Sequence, residues 1–167
     1  MMKLIYTFAS LFLIYVGSCQ AQHIYVSQIN KLLKSSISQT SKKNIEVGSG
    51  EWLICNQDSA FFKNDTLILY DNRNYFYQLG KCCDFIGWTF YKKGAFLQSK
   101  LQTCNEPSSR SAYTEFYEVK VVAKQKSTYL LISKKGVPSK NFEITNISKV
   151  ALANNNFSNM ITVKKTK

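Results

Sequence analysis

Histidine is nearly missing from this chain: His23 is the only one in 167 residues. A hydrolytic triad needs a histidine base beside its serine or cysteine, and His23 lies ahead of every run that reads as a strand. Arginine is almost as scarce, with Arg73 and Arg110 set against twenty lysines. Nucleic-acid readers lean on arginine forks for phosphates and base edges, so no nucleic-acid partner is expected in spite of a formal net charge of +12. There is no C-x-x-C redox pair, no H-E-x-x-H, no phosphate loop and no dinucleotide fingerprint. No cysteine pair has the spacing with which one loop supplies two zinc ligands. Carboxylate pairs such as Asp84 with Glu106, or Glu115 with Glu118, do acid–base work only if the fold brings them together. These absences predict no catalytic residue, no metal and no cofactor, and so a protein that is not an enzyme.

A bilayer-spanning helix is also absent, since it takes about 20 consecutive apolar residues. The longest apolar run is "LIYTFASLFLIYV" (4–16). It follows the early charge of Lys3 and precedes "GSCQAQ", a stretch of small residues. Basic start, apolar centre and small-residue end make a secretory signal over residues 1–21. Val16-Gly17-Ser18-Cys19 reads as a lipobox, which would put a lipid on Cys19 and tether the domain to a membrane surface. A conventional cut after Ala21 is the alternative. Either way the expected location is outside the cytoplasm: periplasm, outer-membrane lipoprotein or extracellular space.

Export gives the remaining cysteines a meaning. Cys55, Cys82, Cys83 and Cys104 are four in number and would lie in an oxidising space. Four cysteines allow three pairings. Joining the neighbours Cys82 and Cys83 would need Cα atoms only about 3.8 Å apart, below the usual disulfide range. Two pairings stay open, in which Cys55 and Cys104 each take one of the neighbours.

What the chain has in quantity is short apolar runs between turns. Hydrophobic residues make up 45% and aromatics 14%, enough for a packed core. "HIYVSQINKLLKSSI" (23–37) sets Val26, Ile29, Leu33 and Ile37 on one helical face. A short helix with a polar linker is therefore expected over 22–50. From Glu51 on, the period becomes two. The expected strands are 51–57, 65–71, 75–80, 85–91, 95–101, 115–123, 127–133 and 141–147, within a domain at 51–150. "DNRN" favours a tight reversal between the second and third of them, and "FIGWTFY" puts Ile86, Trp88 and Phe90 on one face. Residues 151–167 read as a C-terminal tail, which either frames a last short strand or stays loose. About eight strands at ten-residue spacing argue an all-β, antiparallel meander closing into a barrel. The alternative is an α+β domain with the helix laid on a curved antiparallel sheet.

Gly50-Glu51-Trp52 opens the first strand as G-x-W, with a short helix ahead of it and a meander behind. Over residues 48–147 the chain resembles lipocalin-like proteins, including small exported or lipid-anchored bacterial ones. The resemblance implies that Trp52 packs across the closed end of the barrel. It also implies an interior that holds a small apolar or amphipathic ligand, or else a packed interior with recognition on the outside. Eight strands leave room for side chains or one small ligand. The candidate lining residues are Leu67, Leu69, Tyr75, Tyr77, Trp88, Phe90, Tyr117, Val119 and Tyr129. Expected partners are that ligand and, through Cys19, a membrane surface, with the chain a monomer. A second expectation is an envelope structural or protein-interaction domain, inhibitor-like, without a small-molecule ligand.

Overall fold

A computed structural model describes residues 26–37, 50–71, 82–104, 109–151 and 157–166. The helical stripe at the start forms helix α1, 26–35. Its Ile29 and Leu33 are buried, while their neighbours Asn30, Lys31 and Lys34 are exposed. Eight strands follow: β1 (Glu51–Cys55), β2 (Thr66–Asp71), β3 (Asp84–Lys92), β4 (Ala95–Gln102), β5 (Ser109–Lys124), β6 (Ser127–Lys134), β7 (Val137–Ala151) and β8 (Phe157–Thr166). A single-turn helix, α2 (Ala60–Lys63), lies between β1 and β2.

The strands close into one antiparallel barrel in the order β1-β2-β8-β7-β6-β5-β4-β3. The all-β barrel is thus present, as an architecture compatible with a lipocalin-like fold. From β3 to β8 it is an unbroken meander. The first two strands depart from that plan. β1 pairs with both β2 and β3, and the far edge of β2 pairs with β8 in the register Leu67↔Val163 and Leu69↔Ile161. A turn signal such as "DNRN" reports that a chain reverses, not which strand edge it will meet. Pairing is chosen by matching apolar faces and register, and Ile161 and Val163 present the matching face. Within the segment read as a C-terminal tail, Phe157–Thr166 is the strand that closes the barrel. The expected strand at 75–80 lies outside the described residues.

Alternation along the strands fills the interior. Ile54, Leu67, Leu69, Ile86, Trp88 and Phe90 belong to one buried cluster with Phe96, Leu130, Phe142 and Ile161. Trp88 on β3 meets Phe142 on β7, across the barrel, with ring centroids 6.0 Å apart, and stacks on Phe96 at 4.7 Å. Side chains thus span the barrel at this level. The indole Nε1 of Trp88 is buried without a hydrogen-bond partner, an omission that costs about 1–3 kcal/mol.

β3 is buried on both faces. Its outer residue Phe85 joins Leu53 and Leu101 in a second apolar cluster. Beside them Glu51 is fully buried and accepts a hydrogen bond of 2.9 Å from the Ser99 hydroxyl. Gly87 lies beneath this carboxylate, and a Cβ there would run into Glu51 Oε1. The glycine inside "FIGWTFY" is thus the space for a buried acid.

The four cysteines pair as Cys55–Cys82 and Cys83–Cys104, with Cα separations of 5.9 and 5.2 Å. The neighbours lie just before β3, outside regular strand, so each can turn to its own partner. Two such bridges belong to a non-reducing compartment.

Candidate functional site

The barrel has two differently built ends. At the first, α1 caps the opening beside the start of β1. Gly50 adopts the left-handed φ of 68°, and a Cβ on it would run into the Ser36 carbonyl. Only glycine lets the strand pass the helix this closely. Two residues on, the Trp52 indole Nε1 donates to the Ser36 hydroxyl at 2.8 Å. That hydroxyl in turn donates to the Leu32 carbonyl at 2.9 Å. The G-x-W motif therefore has a local mechanism: the glycine admits the helix and the tryptophan ties it down. Trp52 is fully buried in the core at this capped end.

Between α1, the β3–β4 turn and β5 a cavity of about 300 Å³ remains. Its apolar walls are Leu33 and Ile37 from the helix, Phe90 from β3, and Val119 and Val121 from β5. Its rim is basic: Lys31, Lys34 and Lys93 line it and are exposed. The helix supplies two of these because Lys31 and Lys34 lie one turn apart, flanking the buried stripe. Such a site can hold an apolar body and face an anionic or polar head with ammonium groups.

The predicted lining residues distribute as follows. Leu67, Leu69, Trp88, Phe90 and Val119 are buried in the main core, and Tyr117 packs against it. Of these, Phe90 and Val119 also line the cavity. Tyr129 is a correction. Its neighbours Thr128, Leu130 and Ile132 are the buried residues of β6, and alternation puts Tyr129 on the opposite, outer face. Tyr75, Tyr77 and Cys19 lie outside the described residues. The sequence reading missed the three rim lysines. Their signal was present in the polar flank of the 26–37 stripe and in the turn lysine Lys93, but nothing along the chain links the two.

The second end carries the disulfides, α2 and a charged cluster. Glu115 accepts hydrogen bonds from the Tyr117 hydroxyl at 2.5 Å and from Lys134 Nζ at 2.6 Å. These bonds hold its carboxyl below the usual range. Burial, with the hydrogen bond to Glu115, pushes the Tyr117 phenol up to about 12. Among the described residues no three His, Cys, Asp or Glu side chains gather as metal ligands, and no helix is long and apolar enough to cross a membrane. Comparison of the chain with family models, with curated proteins and with solved structures finds no match.

Proposed function

We propose that this protein is an exported, lipid-anchored, lipocalin-like binding module whose ligand is a small amphipathic molecule held at the helix-capped mouth. The observation that carries this reading is the 300 Å³ cavity with an apolar floor and a rim of three lysines. Its volume matches the small end of ligand pockets, which are mostly apolar with a few placed polar groups. The cap suits reversible access, since α1 rests over the cavity on apolar side chains and is tied by the non-covalent Trp52–Ser36 hydrogen bond. The two disulfides agree with export, and the signal-like segment with Cys19 supplies the anchor. The reading calls for binding and no chemical step.

Native mass spectrometry of the purified mature chain tests it. The expected result is a co-purified amphiphile, or a fluorescent fatty-acid probe whose binding falls when Phe90→Ala or Val121→Asp alters the floor. A chain that carries no ligand and binds no such probe refutes it. The packed interior, spanned by Trp88 and Phe142, favours a second reading: an envelope interaction domain with recognition on its outer surface. Capture of one envelope protein in the absence of any small ligand is the result that reading expects.

A further inference from the structure

The end of the barrel opposite the helix holds a second cavity, of about 250 Å³. Two ammonium groups line it, Lys140 from β7 and Lys165 from β8. The register Phe142↔Lys165 and Asn141↔Thr166 makes these lysines diagonal neighbours across the strand pair. The other polar lining comes from Ser139, Asn141 and Thr166, whose hydroxyl and amide groups can all donate. Phe61 and Phe62 of α2 form the remaining wall. Among the described residues no carboxylate lines this cavity.

Each lysine is held by neutral groups. Lys165 Nζ donates to the Phe62 carbonyl at 2.9 Å. Lys140 Nζ stands 4.6 Å above the centre of the Phe61 ring and 5.5 Å from that of Phe62. Glu115, whose charge reaches Lys140, is already engaged by Tyr117 and Lys134. Partial burial, and then the positive charge of Lys165, pull the Lys140 amine below the ordinary lysine range. Two cations are thus kept beside one another, among donors and π faces, with their shared negative partner missing from the cavity wall. Aromatic rings hold an ammonium in place without neutralising it.

We propose that this cavity is an oxyanion site that takes a phosphate group between Lys140 and Lys165, with the Ser139, Asn141 and Thr166 donors completing its shell. The site is separate from the helix-capped mouth and does not depend on what binds there. Phosphate reaches such a site free in solution or as a phospholipid headgroup. The exposed Phe62 ring beside the cavity suits the second source as a shallow apolar contact with the acyl boundary.

Lysine footprinting on the disulfide-intact mature chain tests the proposal. An amine-acetylating reagent is applied, and each lysine is read by mass spectrometry. Inorganic phosphate is compared with sodium chloride at equal ionic strength, and phosphatidylcholine vesicles are compared with and without phosphatidylglycerol. A bound phosphate pairs with the Lys140 ammonium and slows its acetylation, and that of Lys165, while exposed Lys120 on β5, which lines neither cavity, reacts as before. Protection by phosphate identifies the free anion as a ligand, and protection by phosphatidylglycerol vesicles alone identifies the headgroup. Lys140→Gln is expected to weaken binding about tenfold, the loss of one charge-assisted hydrogen bond. Lys140 is exposed, so this variant keeps the fold. Lys165→Gln removes the second cation and is read beside it, with far-UV circular dichroism as the check on its folding. Equal reactivity of Lys140 in all four conditions overturns the proposal, and so does equal slowing of Lys120 and Lys140 by phosphate.

Discussion

At one end of this barrel a helix rests on apolar side chains and is tied by an indole-to-hydroxyl hydrogen bond. At the other, two disulfides bind the start of β3 to β1 and to the segment after β4, and a tyrosine, a glutamate and three lysines crowd the rim. The first end is closed by contacts that can open and re-form, each worth about 1 kcal/mol for a hydrogen bond or a few for a buried side chain. The second is closed by covalent bonds and by charge. The proposed binding module would need one end that yields and one that holds its register, and the two demands fall on different chemistry. The basic rim of the helix end surrounds an apolar cavity. The lysines of the disulfide end sit among hydrogen-bond donors and rings.

The comparison breaks most visibly at the covalent end. Reducing both bridges, which close loops with sequence separations of 27 and 21, is expected to cost about 3 kcal/mol each. The urea midpoint of the reduced protein should fall accordingly, and an unchanged midpoint would show that the bridges add nothing to closure. Smaller effects are expected where the helix docks. Gly50→Ala forces a Cβ into a left-handed residue and into the Ser36 carbonyl, costing about 2 kcal/mol. Ser36→Ala leaves the buried Trp52 indole without its acceptor, costing about 1 kcal/mol. Both should speed amide exchange in α1 while leaving the strands near the disulfides protected. Uniform loss of protection over the whole barrel would mean that the two ends are not independent.

The smallest effect is a pH dependence confined to the charged end. The Tyr117 phenol is held up at about 12 in the folded chain, whereas an unfolded tyrosine titrates near 10. Below pH ~10 both states keep the proton and the contribution is fully present. Between ~10 and 12 only the folded state keeps it, so stability falls as pH rises through that window. Denaturation midpoints measured across it should show the decline for the native chain. Tyr117→Phe should flatten it, because its ring keeps the stack on Phe96 and has no proton to lose.

Much of this was readable in the chain. The stripe of Ile29 and Leu33 placed α1, and the alternation in "FIGWTFY" put Ile86, Trp88 and Phe90 on the core face. Even cysteine number together with the Cys82–Cys83 neighbours announced two bridges. Other features were not readable for a common reason. Tyr129 was misplaced because "STYLLIS" is apolar on both faces and carries no parity signal of its own, so the buried set Thr128, Leu130 and Ile132 is known only once β5 and β7 flank it. Residues 157–166 were left between a last short strand and a loose tail because "NNNFSNMITVKKTK" is polar at both ends. Its value lies in Ile161 and Val163, which meet β2 from a place far along the sequence.

The sequence by itself determined the strand-rich texture, the helix ahead of the barrel and the need for two disulfides. Each of these depends on residues close together in the chain, whose spacing sets which face they share. Only the tertiary structure decided that Cys55 takes Cys82, that β2 lies beside β8, and that Lys140 and Lys165 stand over one cavity while Lys31, Lys34 and Lys93 ring another. Those relations join residues separated by tens of positions. They are set by which strand edges pair when the barrel closes, and local periodicity carries no information about that choice.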